Sequence, residues 1–327
     1  MQNSCNDVSV IIPAYNPGAF LDEALESVRA QSSRPREIIV IDDGSTPPVS
    51  VEKFRDLPIR LLRQANAGQA TARNLGMREA LGEWLAFLDA DDVWHPHKLE
   101  QQLRAAADNQ SLSIIGCRAM LINASGCSIG TGPGRVSGST VPLERNQFQR
   151  DAARAILVPS MALVRRDVAL SARGFESCYQ PIEDLAFFDR LFQSGAKAAV
   201  VEKLLLKRRL HGSSLTLKYR QMLRSYVRWI DELIRPDAEP VHVEAVTAQA
   251  YFVTGLSALA GEKGRHARFL FRKSHLSGAT IRDILFPLLF TLLPSYVTRL
   301  ARRIKQFASG RKALHAWIEV STGPESC

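Results

Sequence analysis

Trp84-Leu-Ala-Phe-Leu-Asp-Ala-Asp-Asp92 is an apolar run that ends in three carboxylates, Asp89, Asp91 and Asp92. Carboxylates crowded at one point repel one another and lose hydration, so a cation is expected to offset them. A hard divalent ion, Mg2+ or Mn2+, carrying a phosphorylated ligand suits such oxygen ligation. The same residues could instead turn the chain and cap the helix that follows. Three other places carry side chains capable of chemistry. Asp42 and Asp43 close a second apolar run, Glu37-Ile-Ile-Val-Ile-Asp-Asp43, before a Gly44-Ser45 turn. Arg73 lies in the first turns of a helix opening at Gly68, where backbone N–H groups and a guanidinium can both face an anion. Glu183 and Asp184 open another helix, a position that the macrodipole favours for acids whatever their task.

These residues need a scaffold, and the apolar pattern predicts one. Leu85 to Leu88 read as a buried strand of a parallel sheet, and ligands of open α/β sheets gather at the carboxyl ends of such strands. Val8 to Pro13, Glu37 to Asp43 and Ile59 to Leu62 are further strands. Helices are expected from Asn16-Pro17, with Phe20, Leu21, Ala24, Leu25 and Val28 at helical spacing, over Gly68–Leu81, and from Pro96 to about Asp108. This alternation predicts a parallel, doubly wound α/β sheet. From Asn123 to Gln149 five glycines (126, 130, 132, 134 and 138) suggest a mobile lid. Gly130-x-Gly-x-Gly134 lacks the strand-turn-helix frame of a phosphate loop. Order is expected again at Ala162–Arg165, in a helix near Glu183–Ser194 and in a strand around Ala198–Leu206. Beyond His211 the chain reads as largely helical, with helical spacing over Thr216–Ile234 and Ala245–Leu259.

The 327 residues suffice for one large α/β domain with an appendage, or for two domains. The net charge of +9 is concentrated between Gly261 and Lys312, where twelve Lys and Arg face two acids, a local balance of +10. The rest of the chain is therefore near neutral, and the charge marks a basic tail rather than a nucleic-acid-binding protein. Within this tail Ile284 to Leu293 is apolar but too short to span a bilayer, and it contains Pro287. Flanked by Arg272, Lys273, Arg282, Arg299, Arg302, Arg303 and Lys305, it suits either the headgroup region of an anionic membrane or a core-packed helix with a basic face. Five cysteines without metal-ligand spacing suggest a reducing, cytoplasmic compartment. Met1 to Asp7 shows no basic n-region or apolar h-region, so no secretory signal is expected.

Several of these pieces recur together in one family. Val10-Ile-Ile-Pro-Ala-Tyr-Asn16, Val40-Ile-Asp-Asp-Gly-Ser-Thr46, Asn66-Ala-Gly with Ala72-Arg-Asn74, and Phe87-Leu-Asp-Ala-Asp-Asp92 occur in that order. Trp94-His-Pro-His-Lys-Leu99, Gly174-Phe175, Glu183-Asp184 and His211-x-x-Ser214 continue the series. The chain thereby resembles the family 2 glycosyltransferases of the GT-A fold over residues 8–215. That resemblance implies a nucleotide-sugar-binding Rossmann-like domain over 1–215. Its nucleotide half would cover about 8–110 and its acceptor half about 111–215, and the helical, basic extension 216–327 would follow. It implies metal-assisted, inverting transfer from a nucleoside-diphosphate sugar, most often UDP-linked, to a hydroxyl of a glycan or lipid-linked acceptor, as in polysaccharide biosynthesis. By the same resemblance Pro13, Ala14, Tyr15, Asp43, Arg73, Asp89 and Ala90 would bind the nucleotide sugar. Asp43 would accept the base's ring N–H, and Asp89 would face the ribose. Asp91 and His211 would lie at the metal, Asp184 would be the general base, and Glu183 would sit beside it in the acceptor pocket. A lone His such as His211 could equally be a half-buried hydrogen-bonder.

Other functions fit less well. A sugar nucleotidyltransferase usually shows a glycine-rich, basic loop where Pro13-Ala-Tyr-Asn16 stands. A dehydrogenase would show G-x-G-x-x-G after the first strand. A non-catalytic nucleotide-sugar-binding protein need not keep Asp89, Asp91 and Asp184 together.

Overall fold

The computed structural model describes residues 7–151, 156–210, 219–260 and 264–276. Strand β1 (Val8–Ala14) pairs in parallel with β2 (Glu37–Asp42), which pairs in parallel with β3 (Ile59–Arg63); β4 (Trp84–Phe87) flanks β1 on the other side, again in parallel. Successive side chains of a strand point to opposite faces, and here both faces are covered. Val10 and Ile12 pack with Leu21, Leu25 and Val28 of α1 (Phe20–Arg29). Ile11, Ile39 and Ile41 pack instead with Ala72 and Met77 of α2 (Gln69–Glu79). Such two-sided burial is why these strands are apolar throughout.

The far half of the sheet departs from the uniformly parallel arrangement expected. After β4 come β5 (Val93–Trp94), α3 (Lys98–Asp108), β6 (Leu112–Ile122), β7 (Ser128–Thr131), β8 (Thr140–Leu143), α4 (Arg145–Arg150), β9 (Leu163–Arg165), α5 (Arg166–Ser171), α6 (Glu183–Gln193) and β10 (Lys197–Arg209). The sheet runs β3-β2-β1-β4-β9-β6-β10-β5. β9 lies antiparallel to both β4 and β6, whereas β6 and β10 are parallel. The short β9 closes the gap between the two parallel groups without a crossover helix, which an antiparallel strand does not need. β6 went unassigned from the sequence because Ser113, Gly116 and Arg118 interrupt its apolar pattern.

The glycine-rich segment is also more regular than expected. β7 pairs with β6, and β8 with β10. Glu202 of β10 accepts hydrogen bonds from Arg118 Nη2 at 2.9 Å and Ser137 Oγ at 2.5 Å. Gly134, at φ +103°, lies against that guanidinium so closely that a Cβ there would come within 2.3 Å of Arg118 Cζ. Among the described residues Cys117, buried, and Cys178, exposed, are free thiols.

Helix α7 (Tyr219–Trp229) continues through a π-helical turn to Ile234, and α8 (Pro240–Ala260) and α9 (Gly264–Leu276) follow. α7 and α8 share a core with α4 and α6: Tyr226, Trp229, Val246 and Phe252 cluster with Phe148, Phe187 and Phe188. At its centre the buried Asp189 carboxylate accepts from Arg145 Nε at 2.7 Å, Gln149 Nε2 at 2.9 Å and Trp229 Nε1 at 3.0 Å. Burial pushes its pKa up, and these donors, with the Arg145 charge, oppose the rise. The helices from 219 onward are thus fastened to the sheet domain by the Trp229 bond to this carboxylate and by Arg145 Nη2 donating to Leu233 O at 2.7 Å, as well as by apolar contact. Asp189→Ala leaves the buried Trp229 N–H without its acceptor and takes from Arg145 its nearest carboxylate. A loss of about 3 kcal/mol is expected, read as a lower urea midpoint at unchanged m-value.

Candidate active site

The ends of β1 and β2 form one wall of the site. Pro13 is half-buried, Ala14 is buried and Tyr15 is 56% exposed at the strand end. Asn16, at φ +46°, ties the two strand ends together: its N–H donates to Ser45 Oγ at 2.9 Å, and its Oδ1 accepts from Thr46 N at 2.8 Å. The adjacent aspartates divide the work. Asp42 holds the turn, accepting from Ser45 N at 2.8 Å, Val49 N at 3.1 Å and Arg63 Nε at 3.0 Å. Burial would raise its pKa, but those N–H groups and the Arg63 charge outweigh it, and the net shift is downward. Asp43 reaches the loop that enters α2. Its Oδ1 accepts from Gln64 Nε2 at 2.7 Å and Ala67 N at 2.9 Å, and its Oδ2 from Gly68 N at 2.9 Å.

Arg73, on the first turns of α2, is 2% exposed and bridges two distant segments. Its Nη2 donates to Asp89 Oδ1 at 2.6 Å, at the end of β4, and its Nη1 lies 3.5 Å from Glu183 Oε1, at the start of α6. Gln69, one turn earlier, donates to the same Glu183 oxygen at 2.5 Å, and the guanidinium stacks 5.3 Å from the Phe175 ring centroid. Burial works against the cation, but the charges of Asp89, Glu183 and Asp184 win and raise its pKa. Arg73 Nε and Glu183 Oε2 are buried and, among the described residues, have no hydrogen-bond partner. Asn74, the next residue, clamps the Gly174-Phe175 peptide: Nδ2 donates to Phe175 O, and Phe175 N donates to Oδ1, both at 2.7 Å. Gly174 is required there, because its φ is +69° and a Cβ would approach Asn74 Oδ1 to 2.3 Å. The Asn66-Ala-Gly, Ala72-Arg-Asn and Gly174-Phe175 motifs are therefore one structural unit.

Asp184 lies beside Glu183, partly open, with Leu185 N donating to its Oδ1 at 2.9 Å. Burial, and then the Glu183 charge, push its pKa up to about 6, while Arg73 and Arg208 pull the other way. The buried phenol of Tyr226, on α7, is also raised, by burial and by the Asp184 charge. At the acidic strand end Asp89 and Ala90 are partly exposed, and Asp89 N donates to the buried Ser160 Oγ at 3.0 Å. Asp92 is 3% exposed, and burial together with Asp91 and Asp89 pushes its pKa well above the usual carboxylate range. The buried Arg209 braces this turn. Its N–H donates to Asp92 Oδ1 and its Nε to Asp91 O, both at 2.9 Å, and its guanidinium pairs with Glu23 above the Phe20 ring.

The structure thus brings Arg73, Asp89, Glu183 and Asp184 together, with Asp43 at the neighbouring strand end. His211 lies outside the described residues. Among the described residues no group of three or more His, Cys, Asp or Glu side chains is arranged to hold a metal ion. Gln69, Ser160 and Arg209 were not assigned roles from the sequence. Arg209 stands two residues before the His211-x-x-Ser214 motif.

Comparison with known proteins adds an independent line. Residues 9–170 match the family described as Glycosyl transferase family 2. The chain is 32% identical over 234 residues to the uncharacterized glycosyltransferase YibD of Escherichia coli K12, covering 68% of this chain and 66% of that one. It is 29% identical over 192 residues to an uncharacterized glycosyltransferase of Haemophilus influenzae, covering 57% and 62%. The alignments therefore span about two thirds or less of these relatives. Residues 1–349 of TarS from S. aureus share the fold with a TM-score of 0.57 at 19% identity, over 93% of this chain and 92% of that one. The mannosyltransferase PcManGT from Pyrobaculum calidifontis, solved with GDP-Man and Mn2+, gives a TM-score of 0.56 at 17% identity, over 97% and 84%.

The crowding at the acidic turn has a measurable cost. Asp92 has a folded-state pKa above its unfolded value, so it destabilises the fold increasingly as pH rises from the unfolded value near 4. Asp92→Asn keeps an oxygen for Arg209 N and removes the charge. In metal-free buffer the variant is expected to match wild type near pH 4 and to melt several degrees higher, roughly 4 °C, at pH 8. Thermal unfolding across that range checks it.

Proposed function

Because the chain belongs to the family 2 glycosyltransferases, we propose that it moves a sugar from a nucleoside-diphosphate donor to a hydroxyl of a glycan or lipid-linked acceptor, with inversion at the anomeric carbon. The observation that carries this reading is the Arg73 bridge, which sets Asp184 of α6 beside the acidic end of β4. Two GT-A-like structures bind nucleotide sugars: TarS 1–349 is solved with UDP-GlcNAc, and PcManGT with GDP-Man.

In this reading Pro13, Ala14 and Tyr15 line the nucleotide, Asp43 accepts the ring N–H of the base, and Asp89 and Ala90 line the ribose and sugar. The three acids of the strand end leave an excess of negative charge that fits a hard divalent cation. Asp91, with His211, would hold Mg2+ or Mn2+ there, supplying charge neutralisation for the leaving diphosphate. Asp184 takes the acceptor O–H proton while that oxygen attacks the anomeric carbon from the side opposite the diphosphate. The glycosidic C–O bond breaks, its electron pair leaves on the diphosphate, and the product is inverted without a covalent enzyme intermediate. A carboxylate raised to about 6 is a stronger base than an ordinary aspartate and is still ionised at pH 7. Glu183, anchored through Oε1 by Gln69 and Arg73, stands directly before Asp184 on the acceptor side.

Attachment to a membrane surface is part of the same proposal. No described helix is long and apolar enough to cross a membrane. The net positive segment 261–312 begins in α9, which exposes Phe269, Arg272 and Lys273. Adsorption to the cytoplasmic, anionic leaflet would bring the site to a lipid-linked acceptor. The full chain should co-sediment with phosphatidylserine vesicles at low salt and be released by about 0.5 M salt; equal recovery with neutral vesicles contradicts this.

Three outcomes test the transfer itself. Asp184→Asn should lower kcat by about 10²–10⁴ while leaving nucleoside-diphosphate affinity within about twofold. For wild type, kcat/KM should fall about tenfold per pH unit below about 6, because the protonated carboxyl cannot accept the acceptor proton. Proton NMR of the first product formed should show the anomeric configuration opposite to the donor's, and retention would contradict direct displacement.

A further inference from the structure

The segment that delivers Asp184 to the site is held from behind by a helix that follows the sheet domain. Three successive residues of it, Cys178, Tyr179 and Gln180, each bond to α7 or to the π-helical turn that continues it. Ser225 Oγ donates to Gln180 O at 2.6 Å, Arg228 Nη1 to Cys178 O at 3.1 Å, and the Tyr179 phenol to Glu232 Oε2 at 2.6 Å. Ser225 and Tyr179 are buried, whereas Glu232 is exposed. A serine inside a helix commonly returns its hydroxyl hydrogen to the carbonyl four residues back. Ser225 spends it on a separate segment instead. Pro181 has no N–H, so Gln180 O is the backbone group through which the Gln180-Pro181 joint can be held.

That joint stands directly before α6, whose N-cap, Ile182, is an apolar side chain that cannot cap it. The start of the helix is fixed from two sides instead. In front, Gln69 and Arg73 of α2 hold Glu183, and the Gln180 amide lies against the start of the same helix, its Nε2 3.4 Å from where a Cβ on Gly68 would stand. Behind stands α7, where Tyr226 clusters with Ile182 and Leu185.

Resting on the proposed transfer, we infer that Ser225 is a positioning residue: through Gln180 O it fixes the start of α6, and so sets the Asp184 carboxylate where the acceptor hydroxyl must be met. α7 thereby serves the reaction although it lies outside residues 9–170, the stretch that matches the family. The requirement is geometric, since a reacting group about 1 Å out of place can cost on the order of a hundredfold in rate. Pro13, Ala14, Tyr15 and Asp43 stand at the ends of β1 and β2, so loss of the joint leaves donor binding intact.

Ser225→Ala isolates the bond, because alanine is the better helix former and α7 itself is not weakened. The full chain with Mn2+ is assayed for nucleoside-diphosphate release from UDP-GlcNAc and GDP-mannose, with water in place of the acceptor. Wild type, Ser225→Ala, Asp184→Asn and the double variant are compared. Ser225→Ala should lower kcat about tenfold or more, with donor KM within about twofold and Tm within about 5 °C of wild type. In the Asp184→Asn background the same change should alter kcat by less than about twofold, because the hydroxyl acts through that carboxylate. An unchanged kcat in Ser225→Ala, or an equal loss in both backgrounds, overturns the inference. Hydrogen exchange without donor reads the joint by itself: the amides of residues 182–186 should exchange about tenfold faster in Ser225→Ala. Release by Asp184→Asn at the wild-type rate removes the base from the proposed transfer, and release from neither donor removes both donors. Exchange then decides, and unchanged exchange overturns the positioning as well.

Discussion

One buried guanidinium holds the two halves of the site in register. Arg73 has almost no contact with solvent, so its charge must be met inside the protein, and an uncompensated buried charge costs several kcal/mol. Among the described residues two carboxylates pair with it, one ending β4 and one opening α6, and they are far apart in sequence. Satisfying the cation therefore fixes where α6 begins relative to the strand end. Other constraints serve the same placement. α2 can approach the sheet because Gly76 has no Cβ, which would come within 2.4 Å of Ile11. Asn74 then pins the Gly174-Phe175 peptide that leads toward α6.

The site is electrostatically expensive in a way that suits chemistry. Arg73 favours ionised neighbours, yet Asp92 and Asp184 are both pushed toward protonation, chiefly by burial. Carboxyls raised by burial mark places where stability has been given up, a common feature of functional sites. Asp42 is the contrast: fully buried, it accepts hydrogen bonds from its own turn and shifts downward. The difference separates a carboxylate that holds the chain from those that remain available to a ligand. Lys98, at the start of α3, is a third case. It is fully buried with one acceptor, Gln102 Oε1 at 2.8 Å, and burial lowers its pKa to about 8. Stacked 4.2 Å over Trp94, whose indole N–H donates to Ser160 O, it supports the element that also receives Asp89 N.

Much of the sheet around β1, β2 and β4 was legible in the sequence, because strands buried on both faces are apolar along their length. The aspartates at 43, 89 and 91 could be placed just beyond those strands from the same pattern. What could not be read was pairing across long separations. Nothing local to Arg73 announces Glu183, 110 residues away, and nothing local to Asp92 announces the backbone N–H of Arg209. β6 escaped because Gly116 and Arg118 serve packing and an ion pair rather than periodicity. The glycines of 123–149 suggested freedom, but at Gly134 the small residue makes room for a guanidinium. The common start of α7 and α8 in the core of α6 was likewise hidden, since amphipathic spacing shows that a face is buried but not against what.

The central claim is that the ends of β1, β2 and β4 form a metal-assisted nucleoside-diphosphate site. Calorimetric titration of UDP, GDP and dTDP, with and without Mn2+, on wild type and Asp91→Ala tests it most directly. The account predicts that one nucleotide binds, that Mn2+ tightens it by tenfold or more, and that Asp91→Ala removes the metal effect while the protein stays folded. No binding of any of the three to folded wild-type protein, or equal binding by Asp91→Ala with and without metal, would contradict it.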